Sequence, residues 1–104
     1  MTGVPEQLVA YYKTGRPLVC EIDVQPWLCE FWPFDELLKY NIDCEVSEYA
    51  PGYFGFATSG GGEMYALSPT GAVVCLAFIG MSPNEELPVA DSWSSFEGML
   101  KRAL

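Results

Sequence analysis

Apolar positions recur along this chain with two different periods, and each change of period marks a new element. Between Val4 and Thr14, Val4, Leu8 and Tyr11 or Tyr12 fall at three- and four-residue spacing, which gives a helix with one apolar face. Pro5 suits the first helical turn, Glu6 and Lys13 complement the two ends of the dipole, and Gly15 supplies a left-handed stop. From Leu18 to Val24 the period becomes two. Leu18, Cys20, Ile22 and Val24 share one side, while Val19, Glu21 and Asp23 share the other, as in a half-buried strand with an acidic outer face. Gln25-Pro26 breaks that strand, Trp27 to Trp32 returns as a second one, and Pro33 ends it. Phe34 to Tyr40 then reads as a short helical turn, with Asp35 and Glu36 near its start and Lys39 near its end. Asn41 to Glu48 is polar and acidic and reads as a surface loop.

The middle of the chain, Tyr49 to Leu67, carries the clearest pattern. Phe54, Phe56 and Thr58 alternate with Tyr53, Gly55 and Ala57, and Met64, Ala66 and Ser68 alternate with Tyr65 and Leu67. Between these two strands Ser59-Gly60-Gly61-Gly62 accepts positive φ at almost any position, so a tight or bulged hairpin connects them. Ahead of them Ala50-Pro51-Gly52 reads as a turn, with Pro51 fixing φ and Gly52 free to turn left-handed. A phosphate-binding loop would need a helix after the glycines and a Lys with Ser or Thr; Glu63 and a β-pattern follow instead. After the turn Ser68-Pro69-Thr70-Gly71, the unbroken apolar run from Ala72 to Ile79 predicts a strand covered on both faces. Gly80 to Glu86 reads as a loop. Asp91 or Ser92 caps a final helix, Trp93 to Leu104, in which Trp93, Phe96, Met99 and Leu100 share a face and Lys101 and Arg102 lie near the negative end. Two outer helices, a short inner one and about five strands in hairpin order make an α+β fold, and no linker or repeat divides residues 1–104 into more than one domain.

Charge and cysteine usage narrow the function. Fourteen acidic residues against five basic ones give a net charge of −9. This charge repels a phosphate backbone or an anionic membrane face and favours a basic protein surface. The longest apolar run, Ala72 to Met81, is far short of the roughly 20 residues that span a bilayer. The start of the chain has neither the basic residues nor the apolar block of a signal peptide, so the expected location is the cytoplasm. The chain has four cysteines and no histidine, and the gaps between Cys20, Cys29, Cys44 and Cys75 match no zinc or redox spacing. Cys20 and Cys29 face each other if the first two strands pair, yet a reducing cytosol keeps them as thiols. Without histidine there is no Ser-His-Asp or Cys-His arrangement. The adjacent carboxylates Asp35-Glu36 and Glu85-Glu86 do not face each other on a helix. The expectation is a protein without catalytic residue, metal or cofactor.

The order Phe31-Trp-Pro-Phe-Asp-Glu-Leu, Tyr49-Ala-Pro-Gly, Gly60-Gly-Gly-Glu resembles the SUKH superfamily, whose eukaryotic namesake is a cell-wall assembly regulator. Phe78-Ile-Gly-Met-Ser-Pro and Pro88-Val-Ala-Asp-Ser-Trp-Ser-Ser-Phe96 extend the resemblance, which covers roughly residues 31–104. It implies a twisted, mainly antiparallel sheet packed against N- and C-terminal helices. It also implies a binding role, because bacterial members look mostly like immunity proteins that neutralise toxins by direct contact. The chain departs from the family pattern at Thr14-Gly15-Arg16-Pro17, where a longer connection is usual.

Two sets of residues follow. Pro51, Gly52, Gly60, Gly61, Gly62, Glu63, Asp91 and Ser92 lie on the resembling motifs, with turn closure and helix capping as their roles. Glu21, Asp23 and Glu30, with Trp27 as an apolar anchor, are the expected contact surface, since pairing of the first two strands would cluster the three carboxylates within about 10 Å. The expected partner is a basic toxin domain; an endogenous protein bound by a regulatory scaffold is the alternative. The sequence leaves oligomeric state open.

Overall fold

A computed structural model describes residues 3–102. Within them lies a seven-stranded sheet in the order β6-β5-β4-β3-β2-β1-β7, antiparallel at every pairing. Helix α1 (Glu6–Lys13) leads into β1 (Val19–Glu21) and β2 (Leu28–Phe31). A 3₁₀ turn at Phe34–Glu36, α2 (Leu37–Asp43) and α3 (Val46–Tyr49) precede the central hairpin of β3 (Phe54–Thr58) and β4 (Glu63–Leu67). Then come β5 (Val73–Ala77), β6 (Leu87–Ala90), α4 (Trp93–Met99) and β7 (Lys101–Arg102).

Six strands therefore form a meander, and α4 carries the chain from one edge of the sheet to the other. Seven flat strands would separate those edges by about 29 Å. A seven-residue helix rises only about 10 Å, and its flanking residues add roughly as much again. The sheet must curl, and α4 lies across the inside of the curl. Trp93 and Phe96 there meet Phe56 at 5.5 and 5.8 Å between ring centroids, and Phe96 meets Tyr65 at 5.7 Å. Tyr11 of α1 stacks on Phe31 at 4.6 Å beside them. Trp32, one residue on, turns the other way, to Tyr40 of α2 at 5.1 Å and to Phe78. Helices cover both faces of the sheet, and Trp32 belongs to the core as its apolar setting suggests.

Several sequence expectations hold. Gly15 takes φ 69° just past α1, and Gly52, Gly60 and Gly62 take φ of 87°, 79° and 95°. Val73 to Leu76 are all buried, as an unbroken apolar strand requires. The differences have physical causes. Instead of about five strands there are seven, because Leu87–Ala90 and Lys101–Arg102 pair at the two edges. The expected loop from Asn41 to Glu48 is helical, since α2 runs through Asp43 and α3 begins at Val46. Asp43, Glu45, Ser47 and Glu48 face outward while Val46 and the preceding Leu37 are buried. The last helix ends at Met99, because Leu100 is extended and the next two residues join β1; the expected final positions 103 and 104 lie outside the described residues. Strict alternation in β3 also fails, because the register with β4 shifts between Gly55 and Ala57.

This bulge is held from outside the sheet. The Asn41 side chain of α2 accepts from Gly55 N at 2.7 Å and donates to Gly55 O at 2.8 Å, where β2 has already ended. A single amide replaces the missing strand neighbour.

Candidate functional site

The β1–β2 hairpin projects the residues singled out for contact. Val19 faces Glu30, Cys20 faces Cys29, and Glu21 faces Leu28. Residues opposite each other share a sheet face, so Glu21 and Glu30 are outward diagonal neighbours, about 7–8 Å apart, while both cysteines point into the core. Beyond Glu21 the turn is tied by three backbone hydrogen bonds. Ile22 N donates to Trp27 O at 2.9 Å, Trp27 N to Val24 O at 2.9 Å, and Leu28 N to Pro26 O at 2.9 Å. The Gln25–Pro26 peptide is cis, and Trp27 sits at φ 74°, a region few non-glycine residues occupy. Its indole is 56% exposed, next to exposed Val24.

The curl of the sheet brings this tip over the glycine turn. Gln25, Pro26, Trp27, Glu63 and Leu87 line one recess of about 250 Å³. Tyr65 OH donates to Leu28 O at 2.7 Å, which anchors the hairpin to β4. Glu63 closes its own turn as expected: Ser59 N donates to Glu63 O, and Ser59 Oγ donates to Glu63 Oε1, both at 3.0 Å. Trp27 and Glu63 were singled out for separate reasons, and they share a wall.

The acidic patch is weaker than the sequence suggests. Lys101 lies opposite Glu21 across the β1–β7 ladder, and its Nζ reaches Asp23 Oδ2 at 2.7 Å. Three carboxylates thus share their surface with one ammonium, a neighbour that a helical Lys101 would not supply. Two of the motif segments carry local hydrogen bonds. Tyr53 N donates to Ala50 O at 3.1 Å to close the Pro51-Gly52 turn, and Ser92 Oγ accepts from Ser95 N at 3.1 Å as the cap of α4. Asp91 is exposed and makes no cap. Neither Lys101 nor Leu87 was visible as a site residue, because both depend on edge strands too short to show a period.

The remaining reactive groups are held neutral. Burial pushes Cys29 well above the ordinary thiol value and Cys75 up to about 12, and it raises Cys20 despite the opposing effect of Tyr11. The hydrogen bond from Tyr53 OH to Glu86 Oε1, 2.6 Å, pushes the phenol up to about 12. Among the described residues no three of Cys, Asp and Glu converge closely enough to hold a metal ion. Nor is any of their helices long and apolar enough to cross a membrane.

No curated protein matches this chain. The family model for the SMI1 / KNR4 family (SUKH-1) matches residues 2–99, nearly the whole sequence and more than the motifs alone delimit. This chain belongs to the SMI1 / KNR4 family (SUKH-1), within the SUKH superfamily.

Proposed function

We propose that this protein is a non-catalytic binding module that acts as an immunity protein, neutralising a basic toxin domain by direct contact through the β1–β2 tip. The observation that carries this reading is Trp27. A tryptophan held outward by a hydrogen-bonded turn, over a recess and beside carboxylates, has the features of an interface anchor. The net charge of −9 supports a basic partner. The absence of histidine and the buried, protonated thiols support binding without catalysis or cofactor.

The test uses the C-terminal domain of a large secreted protein encoded beside this chain; lack of such a neighbour favours the regulatory alternative. Trp27→Ala should weaken binding by about 2 kcal/mol, roughly 30-fold, with the fold intact by circular dichroism. The triple variant Glu21→Gln, Asp23→Asn, Glu30→Gln should associate more slowly and lose most of its salt dependence. Lys101→Gln should do the reverse and speed association. Unchanged affinity in Trp27→Ala, together with unchanged on-rates in the charge variants, would remove the tip as the contact surface.

A further inference from the structure

A second surface lies on elements that carry none of the tip residues. Asp43, Cys44, Glu45 and Tyr49 on one side, and Phe78, Gly80 and Met81 on the other, line a recess of about 670 Å³. Two aliphatic residues adjoin it in the chain: Ile42 is 74% exposed and Ile79 is 93% exposed, the most open of the large apolar side chains described. Tyr49, on the wall itself, is 52% exposed. Scattered apolar residues on a surface are ordinary; here Tyr49 lines the concavity itself, and Ile42 and Ile79 are chain neighbours of Asp43 and of Phe78 and Gly80, which also line it.

The floor of this recess is packed against the core. Phe78 stacks on Trp32, Phe78 N donates to Gly62 O at 3.0 Å, and Met81 is buried. Its rim is acidic. Glu45 occupies a left-handed position, φ 56°, which breaks α2 from α3 and sets its side chain beside that of Glu48. The neighbouring Glu48 carboxyl raises Glu45 above its ordinary value. Asp43 is already neutralised by Lys39 at 2.6 Å. Glu45 and Glu48 have no such cation among the described ion pairs.

We propose that this recess is a second protein-docking surface, and that it takes a segment presenting an apolar side chain flanked by Lys or Arg. The apolar group would enter between Tyr49 and Met81, and the cation would lie against Glu45 and Glu48, relieving their mutual repulsion. Charge decides the occupant. A second copy of this chain would bring an identical acidic rim against the first, on a molecule of net charge −9. This proposal is independent of the Trp27 contact and can fail or succeed without it.

The experiment titrates the full chain with twelve-residue peptides that place a central Trp, Leu or Phe between Arg-rich flanks, with Glu-flanked versions as controls. Amide chemical shifts report where they bind. The expected result is binding by Arg-flanked peptides alone, with shifts confined to residues 42–49 and 78–81. The double variant Ile42→Ser, Ile79→Ser should weaken it at least tenfold, and so should Glu45→Gln with Glu48→Gln, while Trp27→Ala leaves it unchanged. Failure of every peptide at millimolar concentration would overturn the proposal. So would shifts centred on the β1–β2 tip, equal binding of Glu-flanked peptides, or sedimentation showing that the patch joins two copies of this chain.

Discussion

Asn41→Ala should be among the most damaging single changes on the α2 side of the sheet. Its amide makes three hydrogen bonds: it accepts from Gly55 N at 2.7 Å and donates to Gly55 O and to Leu37 O, both at 2.8 Å. Gly55 is buried at the bulge, and truncation leaves its N–H and C=O without their partner. Each buried group left unpaired costs about 1–3 kcal/mol. Better helix propensity of Ala returns about 0.5 kcal/mol. The net loss is about 1.5–5.5 kcal/mol, which for a domain of this size lowers Tm by roughly 7–25 °C. Urea unfolding with an unchanged m-value measures it. Asn41→Asp keeps the acceptor for Gly55 N–H and loses the donor, so its deficit should shrink as the pH falls toward 4 and a protonated carboxyl can donate again. A loss below about 0.5 kcal/mol in Asn41→Ala would refute the argument, since the bulge would then be satisfied without the side chain.

Three further outcomes are expected. Gly60→Val and Gly62→Val, at φ 79° and 95°, should each cost on the order of 1–3 kcal/mol, while Gly61→Val should stay within about 0.5 kcal/mol; equal losses at all three would contradict the assigned turn. A disulfide-forming thiol reagent should modify half-buried Cys44 first and reach four thiols only in denaturant, because Cys20, Cys29 and Cys75 are buried; fewer than four in fresh unfolded protein would reveal a disulfide. Base should unfold the protein. Burial raises Cys75 from 9.0 to about 12, and Tyr53 rises from 10.0 to about 12, so the folded chain keeps protons that the unfolded chain releases. Their contribution is complete below about pH 9 and is lost as the pH climbs toward 12, whereas a flat stability curve over that range would sink the assignment.

Turn chemistry was the most legible part of the sequence. Pro51-Gly52, the triple glycine and Ser92 act as their residue types dictate, because a positive φ or a cap depends on a few neighbouring atoms. The meander was readable for the same reason, since each hairpin is local. Asn41 was not readable. A polar residue in an acidic stretch looks solvated, and only the early end of β2 makes its amide a backbone substitute. Lys101 was misplaced because β7 exists only through the return of α4 across the curled sheet, which no local period records. The sequence therefore overestimates the charge of the candidate tip, and the proximity of Glu63 to Trp27 follows only from the curl.

The margins of the sheet limit how any partner can engage it. On one side β6 contains Pro88, which has no N–H to offer an incoming strand; on the other, β7 spans two of the described residues, Lys101 and Arg102, both exposed and basic. Among the described residues, a proline at one margin and two cationic side chains at the other disfavour backbone pairing. Recognition must then be written in side chains on preformed surfaces, where each position can be exchanged without disturbing a hydrogen-bond ladder. A scaffold built this way can change partners by a few surface substitutions and keep its fold.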